Sequence, residues 1–269
     1  MSTQSALITI MIRAARKAAR GLVRDFGEVE QLQVSRKGPA DFVSNADLKA
    51  EKTLREELER ARPDFGFLME ESGASKSGDG RHRFIVDPLD GTTNFLHGLP
   101  HFAVSIGVER DGELIAGVVY EPTRDEMFWA EKGQGAHLND RRLRVSAREQ
   151  MRDAVIATGI PFMGKGSDPG HRHYLGQMAA VMGQVAGIRR WGTASLDLAY
   201  VAAGRFDGFW EMHLSPWDMA AGIVLVREAG GFVSEVDGGN KMLDSGAILA
   251  SNDRLHQELS QVLRRAKPV

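Results

Sequence analysis

Two aspartates flank Pro88 and Leu89 in the stretch Phe84–Asn94, which reads FIVDPLDGTTN. We predict that a buried strand ends at Asp87 and that Pro88, which has no backbone N–H, turns the chain so that Asp90 converges on Asp87. Two such carboxylates repel each other unless a cation lies between them, and Mg²⁺ binds carboxylate, carbonyl and water oxygens. The carbonyl oxygen of Leu89 is available for the same ion. An ordinary Asp-Gly turn is the alternative, but it leaves the rest of the pattern unexplained.

Two neighbouring segments carry further groups that suit a phosphate and its metal. Gly91 and Thr92 bring backbone N–H donors and a hydroxyl to a predicted helix start, which suits an anion such as phosphate. A second acidic pair, Glu70 and Glu71, follows the apolar stretch 65–69. This pair either places carboxylates at a strand end near the same site or forms a polar turn, and the sequence favours neither explanation.

Three isolated acids each have a structural explanation beside a functional one. Asp218 lies in the first turn of a predicted helix, where a negative charge stabilises any helix. Ser44 and Asp47 resemble a capping box, which is the default explanation for Ser44, while Asp41 and Asp47 could also orient waters around a metal cluster. Glu211 ends a predicted strand, where it could accept a hydrogen bond from a substrate hydroxyl or be an edge charge.

The composition limits the chemistry to oxygen and nitrogen ligands. The 269 residues include no cysteine, which excludes disulfides, thiolate metal sites and cysteine nucleophiles. Lys and Arg total 34 while Asp and Glu total 36, so the charge does not indicate nucleic-acid binding. No stretch of about 18 apolar residues and no signal-peptide core occurs, and we expect a soluble, cytoplasmic protein without a membrane partner.

Hydrophobic periodicity places these residues on a mixed set of helices and strands. A surface helix is predicted over Met1–Arg24 and a second helix from Asn45 to about Arg60. Alternating apolar residues around Asp111-Gly112 predict a β-hairpin. We expect residues 1–145 to form an α+β half that carries the metal-binding motifs. Residues 146–269 should form an α/β half packed against it as one compact unit, with the active site between the two.

Four motifs resemble, in the right order and over nearly the whole chain, those of the inositol monophosphatase family of Mg²⁺-dependent phosphatases. The first signature of that family, D-P-[LI]-D-G-T-T-N-F, stands at Asp87–Phe95, and the second, W-D-x-A-A/G-G, at Trp217–Gly222. The segments Glu70–Ser72 and Asp41–Asp47 also match the family pattern. The family commonly has Trp where this chain has Phe84, which is a packing position.

The resemblance implies a layered αβαβα sandwich, usually a homodimer, and a set of metal ligands. Glu70, Asp87 and the Leu89 carbonyl would hold one Mg²⁺. Asp87, Asp90 and Asp218 would hold a second ion, and two or three ions per active site are expected.

The resemblance also implies roles in catalysis and substrate binding. Glu70 and Thr92 would position or deprotonate the attacking water, with Asp47 in the outer shell. Substrate contacts are implied for Asp90, Gly91, Thr92, Gly192, Thr193, Ala194, Glu211 and Asp218. The expected reaction is hydrolysis of myo-inositol 1-phosphate to inositol and phosphate, with inhibition by lithium.

Other substrates and other classes of function stay open. The same fold could hydrolyse fructose 1,6-bisphosphate, histidinol phosphate or a 3′-phosphoadenosine nucleotide, although Pro216-Trp217-Asp218 looks more like the inositol phosphatases than the histidinol-phosphate branch. Some bacterial relatives are associated with RNA polymerase antitermination complexes, so a regulatory binding module is an alternative that the net charge of −2 does not favour. A catalytically silent metal-binding protein is a third alternative.

Overall fold

The chain alternates between helices and strands in the computed structural model, which describes residues 4–28, 34–38, 41–161 and 167–269, with side chains at all of these except 34–38 and 41–43. The helices of the described part are α1 (Ala6–Phe26), α2 (Asn45–Ala61), α3 (Thr92–Leu96), α4 (Asp168–Met182), α5 (Ala194–Ala202), α6 (Pro216–Glu228), α7 (Met242–Ser245) and α8 (Asp253–Arg265). The strands are β1 (Val34–Gly38), β2 (Asp41–Ser44), β3 (Gly66–Met69), β4 (Gly73–Ser75), β5 (His82–Asp90), β6 (Ala103–Arg110), β7 (Glu113–Glu121), β8 (Glu126–Glu131), β9 (Gly135–Leu138), β10 (Arg141–Arg142), β11 (Val155–Thr158), β12 (Gly187–Arg189), β13 (Gly208–Glu211), β14 (Phe232–Ser234) and β15 (Ile248–Ser251).

Helices α1 and α2 cover one face of a large sheet. In the described residues this sheet has eight strands in the order β10-β9-β8-β7-β6-β5-β3-β4, and its β3–β5 pair is parallel. Helix α1 is amphipathic, and it buries Ile8, Ala15 and Leu22 against the sheet. The side chain of Ser5 caps this helix by accepting a hydrogen bond from the N–H of Ile8.

Helices α5 and α6 form a central layer between two sheets. Their side chains pack with the large sheet on one side and with Ala157, Phe209 and Ala250 of the second sheet on the other. The second sheet has the order β12-β11-β13-β15-β14. Helices α4 and α8 cover its outer face through a cluster that includes Tyr174 and Leu259. The described part is therefore layered α, β, α, β and α, which confirms the expected αβαβα sandwich.

Most predicted elements occur with slightly shifted ends. The first helix extends to Phe26, and the second ends at Ala61. Asp111 and Gly112 both have positive φ, at 52° and 81°, as a tight hairpin turn requires. The prediction that a strand ends at Asp87 is wrong, because β5 continues beyond it. Among the helices of the described ranges, none combines the length and the apolar character needed to cross a membrane.

Strand β5 contains one extra residue between Asp87 and Asp90. Asp87 lies opposite Ser105, and Asp90 lies opposite Ala103. The chain therefore advances three residues along β5 over the distance in which it advances two along β6. In a regular strand, residues three apart point to opposite faces, whereas residues two apart share a face. The bulge therefore turns Asp90 to the same face as Asp87, toward the central helices. Pro88 is compatible with this geometry because a bulge interrupts the ladder of backbone hydrogen bonds.

Small residues let α6 lie directly on the large sheet. A Cβ atom on Gly117 of β7 would lie 2.8 Å from the Cα of Ala221. On a neighbouring face of the same helix, a Cβ atom on Gly222 would lie 2.5 Å from the side chain of Leu198 in α5. The Ala-Ala-Gly part of the second motif therefore has a packing role, and it fixes where the first turn of α6, with Asp218, can lie.

Glu121 of β7 and Tyr200 of α5 form a buried polar contact, and His101 lies beside it. The hydroxyl of Tyr200 donates to Glu121 Oε2 at 2.7 Å, and Arg124 Nε lies 3.4 Å from Glu121 Oε1. His101 Nδ1 lies 3.9 Å from the same Oε1, and its Nε2 has no hydrogen-bond partner among the described residues. Burial, followed by the charge of Arg124, lowers the pKa of His101 to about 4.

Replacing Gly117 by alanine should lower the free energy of unfolding by about 1–3 kcal/mol. The added methyl group would meet the backbone of Ala221, which cannot move aside as a flexible side chain can. Urea denaturation measures the change. Gly21→Ala in α1 is the matched control: nothing lies within 4 Å of its added methyl group, and it should raise stability by roughly 0.5–1 kcal/mol. Stabilisation by both variants would contradict the close approach of α6.

His101 should make the protein less stable in mild acid. Its pKa is lower in the folded chain than in the unfolded chain, so the unfolded chain binds more protons as the pH falls from 6.5 toward 4. The contribution of His101 to stability is therefore complete above about pH 6.5 and is lost below it. His101→Gln should lose less stability than the wild type over this range in denaturation measurements. Equal slopes for His101→Gln and the wild type would contradict the assignment.

Candidate active site

Strands β3 and β5 run in parallel and end at the same edge of the large sheet. Met69 pairs with Val86, and the N–H of Glu70 donates to the carbonyl of Val86 at 3.2 Å. Glu70 therefore comes next to Asp87, and the two side chains are within hydrogen-bonding reach. The structure thus brings together two acids that the sequence placed at separate strand ends.

Asp90 is held by the first turn of α5. Its Oδ2 accepts a hydrogen bond from the N–H of Ser195 at 2.7 Å, across 105 residues of sequence. Free N–H groups and the helix macrodipole both stabilise a carboxylate at a helix N-terminus. The neighbouring Asp87 is held locally, since its Oδ1 accepts a hydrogen bond from the N–H of Leu89 at 2.9 Å. The bulge of β5 and the central helices therefore fix both aspartates.

Asp218 is both the acidic member of a helix capping box and a neighbour of the aspartate pair. Its Oδ2 accepts a hydrogen bond from the N–H of Ser215 at 2.7 Å, in a capping box at the start of α6. Its charge also acts on Asp87 and helps to raise the pKa of that residue. The prediction that Asp218 stabilises the start of a helix is therefore correct. The same side chain can also have a second role beside Asp87.

Asp87 is buried among like charges. Only 2% of its surface is exposed. Burial raises the pKa of Asp87 well above its ordinary value, and the charges of Glu70, Asp90 and Asp218 raise it further. A carboxylate in these surroundings is unfavourable unless a cation balances its charge.

The available donors fit a hard cation. They are carboxylate oxygens and the carbonyl oxygen of Leu89, which is the ligand chemistry of Mg²⁺. In the described part of the chain, no group of three or more acidic or histidine side chains is placed as a complete metal-ligand cluster, so the carboxylates around Asp87 would have to move closer together to share an ion. Mg²⁺ usually keeps several waters and needs only one or two carboxylates, so a full protein cage is not required. The burial of Asp87 beside Glu70, Asp90 and Asp218 is the observation that fits the ion.

The Thr92 hydroxyl connects the aspartate loop with α2. Its Oγ1 lies 3.0 Å from the carbonyl oxygen of Leu89 and 3.2 Å from Asp47 Oδ1. Asp47 Oδ2 accepts hydrogen bonds from the N–H and the hydroxyl of Ser44, at 2.8 and 2.6 Å, which confirms the capping box. Burial raises the pKa of Asp47, and the hydrogen bonds from Ser44 and Thr92 oppose this rise. The side chain of Asp41, the other acid that could orient waters around a metal cluster, is outside the described part.

Asn94 joins the aspartate loop to the segment before α5, a role that the sequence analysis missed. Its Nδ2 donates to the carbonyl of His101 at 2.9 Å and to that of Trp191 at 2.8 Å. Thr193 Oγ1 donates to the same His101 carbonyl at 3.1 Å. Gly91 has a φ of +91°, and a Cβ atom there would lie 2.5 Å from this Oγ1. The structure therefore brings Gly91 and Thr193 together. The position of Asn94 inside the first family signature is the sequence feature that could have indicated its role in the site.

The turn that leads into α5 carries three of the implied substrate contacts. Gly192 has a φ of +79°, and a Cβ atom there would lie 2.5 Å from Arg190 Nη1. Thr193 is the N-cap of α5, and Ala194 is its first residue. The same helix start holds Asp90, so these residues adjoin the aspartate pair.

Glu211 lies at the end of β13 and reaches the same region from the second sheet. Its carboxyl group packs against the backbone of Gly159, where any Cβ atom would overlap it. Burial raises the pKa of Asp197 in α5, and the charges of Glu211 and Asp90 raise it further. Asp197, which the sequence analysis did not select, therefore lies near both the aspartate pair and Glu211.

Comparisons with known proteins agree over almost the full length. The sequence model of the inositol monophosphatase family matches residues 3–267. A protein of Rhizobium meliloti (strain 1021), named inositol-1-monophosphatase, is 58% identical over 265 residues, which cover 98% of each chain. A protein of Pseudomonas aeruginosa, named Nus factor SuhB, is 45% identical over 264 residues and 97% of each chain.

A solved structure shows the same arrangement of the backbone. The crystal structure of extragenic suppressor protein suhB from Bartonella henselae superposes with a TM-score of 0.94 at 59% sequence identity. The match covers 97% of this chain and 99% of that chain. On the agreement of sequence and fold along its length, the chain belongs to the inositol monophosphatase family.

Proposed function

We propose that this site hydrolyses myo-inositol 1-phosphate with the help of Mg²⁺. The chain is a phosphoric monoester hydrolase by its family and by the names of its relatives. The observation that carries the proposed chemistry is the burial of Asp87 beside Glu70, Asp90 and Asp218. Phosphate monoesters are very inert in water, so their hydrolysis depends on positioning and charge neutralisation. A site with concentrated negative charge and oxygen donors supplies both once a cation is bound.

The candidate metal ligands divide into two overlapping groups. In this proposal Glu70, Asp87 and the Leu89 carbonyl hold one Mg²⁺. Asp87, Asp90 and Asp218 hold a second one. The hydrogen bonds from Ser195 to Asp90 and from Ser215 to Asp218 use one oxygen of each carboxylate, so they orient the other oxygen. When bound, Mg²⁺ neutralises the phosphate charge, lowers the pKa of a water and stabilises the leaving alkoxide.

Thr92 and Glu70 are proposed to orient the water that attacks phosphorus. The Thr92 hydroxyl can donate its proton to the Leu89 carbonyl or to Asp47, both within 3.2 Å. Its oxygen lone pairs are then available to accept a hydrogen bond from the water. The Glu70 carboxylate takes up a proton from that water, and Asp47 acts only by holding Thr92 in place.

The remaining groups are proposed to hold the two halves of the substrate. Backbone N–H groups at Gly91 and Thr92 face the phosphate, and Glu211 accepts a hydrogen bond from a hydroxyl of the alcohol. Asp90 and Asp218 lie on the side of the leaving group. The turn before α5 adds contacts from Gly192, Thr193 and Ala194.

Phosphate release from four esters, with and without Mg²⁺, tests the choice of substrate. The esters are myo-inositol 1-phosphate, fructose 1,6-bisphosphate, histidinol phosphate and 3′-phosphoadenosine 5′-phosphate. The name of the Rhizobium relative supports the first of them. Faster Mg²⁺-dependent release from another ester would correct the substrate, and release from none of them would overturn the proposal.

The proposal includes the finer properties that the family resemblance implies. These are two or three Mg²⁺ ions per site, inhibition by lithium, a homodimer, a cytoplasmic location and an active site between residues 1–145 and 146–269. The hydrogen bonds from Ser195 to Asp90 and from Asn94 to the Trp191 carbonyl support the last point, since each joins the two ranges.

A second candidate function is a regulatory binding role in transcription antitermination. The relative named Nus factor SuhB is the observation that favours it. Binding through a protein surface should survive the loss of Asp87 and Asp90, whereas hydrolysis should not. Measuring phosphate release and binding to RNA polymerase antitermination complexes with the same variants separates the two functions.

Asp90→Asn should keep the fold and lose Mg²⁺-dependent phosphate release by on the order of 10²–10³-fold or more. Asparagine is nearly isosteric and can still accept the hydrogen bond from Ser195, but it lacks the negative charge. Steady-state phosphate release and circular dichroism measure the two effects. Asp111→Asn, at an exposed hairpin turn, is the matched control and should keep the wild-type rate. A rate near that of the wild type in Asp90→Asn would contradict the assignment.

Asp87→Asn should remove the stabilisation of the protein by Mg²⁺. The wild type, freed of metal, should gain about 2.7 kcal/mol when the ion is present at 100 times its Kd. In the variant a buried charge among three other acids is removed, so the metal-free form should melt no lower than the wild type. Calorimetric melting with and without Mg²⁺ shows both effects. An undiminished Mg²⁺ shift in the variant would exclude Asp87 as a ligand.

A further inference from the structure

The Asn94 side chain binds two backbone carbonyl groups that lie far apart in the sequence. Asn94 is part of α3, and only 6% of its surface is exposed. Its Nδ2 donates to the carbonyls of His101 at 2.9 Å and Trp191 at 2.8 Å, and Thr193 Oγ1 lies 3.3 Å from the same atom. A side-chain amide has two N–H protons, so the two carbonyls account for both. Without this amide, each of the two carbonyls would lose a donor, which is unfavourable.

Asn94 lies at one end of a contact between the segments 90–94 and 191–195. At the other end of this contact, the N–H of Ser195 donates to Asp90 Oδ2 at 2.7 Å. The two segments therefore run in opposite directions, with a hydrogen bond between them at each end. A movement of one end changes the geometry at the other, because each segment is only five residues long.

Close packing fixes the middle of the same contact. A Cβ atom on Gly91 would lie 2.5 Å from Thr193 Oγ1 and 3.0 Å from the carbonyl oxygen of His101. Thr193 is the N-cap of α5, yet its side chain makes no hydrogen bond to the N–H groups of that helix. Its hydroxyl donates instead to the His101 carbonyl at 3.1 Å. The usual local cap is therefore absent at α5, and the N–H of Ser195 binds Asp90.

We propose that Asn94 is a positioning residue that acts on Asp90 through the start of α5. Its amide fixes the Trp191 carbonyl and thereby the first turn of α5, whose Ser195 N–H holds one oxygen of Asp90 and orients the other. This inference rests on the proposed function, in which Asp90 binds the second Mg²⁺. The ligands proposed for the first Mg²⁺ include no residue of the contact, so loss of the Asn94 amide weakens one ion more than the other.

Asn252 offers a matched control, because it makes the same kind of contacts with residues outside the candidate site. It is 1% exposed, and its Nδ2 donates to the carbonyls of Ser146 at 3.0 Å and Arg148 at 2.9 Å. Its Oδ1 also caps α8 by accepting from the N–H of Leu255 at 2.9 Å. Asn252→Ala should therefore lower the melting temperature at least as much as Asn94→Ala, and it should leave the Mg²⁺ affinities unchanged.

Calorimetric titration of the metal-free protein with Mg²⁺ tests the inference without substrate. Asn94→Ala should raise the Kd of one bound ion about tenfold and change that of another by less than about twofold. Thr193→Val keeps the shape of the side chain and removes its donor, so it should raise the same Kd about twofold or more. In hydrolysis of myo-inositol 1-phosphate, Asn94→Ala should raise the Mg²⁺ concentration at half-maximal rate about tenfold. Its kcat at saturating Mg²⁺ should change by less than about threefold.

The variants separate a positioning role from a purely structural one. Unchanged Mg²⁺ affinities in Asn94→Ala overturn the inference, whatever its melting temperature. Equal losses of affinity in Asn94→Ala and Asn252→Ala also overturn it, because they reflect lower stability alone. If circular dichroism shows that Asn94→Ala is unfolded, an unchanged affinity in Thr193→Val has the same meaning. A wild type that binds fewer than two ions is a failure of the proposed function instead, and the inference falls with it.

Discussion

A single extra residue in β5 brings Asp87 and Asp90 to the same face of the large sheet, and the other candidate groups are arranged around that pair. Without the bulge, residues three apart would point to opposite faces, and one aspartate would face α1 and α2. The parallel pairing of β3 with β5 then adds Glu70 at the same edge. The first turns of α5 and α6 approach from the central layer, with Ser195 holding Asp90 and Ser215 holding Asp218.

This arrangement concentrates negative charge where the fold excludes water. Asp87 is buried next to other acids, and Asp197 is buried without a described partner. Both features oppose folding, so the packing around them must be rigid enough to keep them in place. The contact of α6 with the large sheet at Gly117 and Ala221 provides that rigidity, because no side chain separates the two backbones.

The fold was predictable to the level of its layers, since the periodicity of α1 and the motif resemblance both agree with the structure. The bulge was not predictable. The stretch from Asp87 to Asp90 reads as a strand that stops at a proline, and only pairing with β6 shows that the strand continues. The link from Asn94 to Trp191 was also hidden, because an amide gives no indication of which distant carbonyl groups it will meet.

The sequence by itself determined the kind of chemistry. Its lack of cysteine and its aspartate, glycine and threonine signature limit the site to oxygen donors, and that follows from the side chains alone. Only the tertiary structure decided which acids act together. The local pattern places Asp47 in a capping box and Asp218 in the first turn of a helix, and the structure shows both as acidic members of capping boxes. Each also lies near the aspartate loop. The reason is physical: capping depends on residues three positions apart, whereas convergence depends on layers packing across more than a hundred residues of chain.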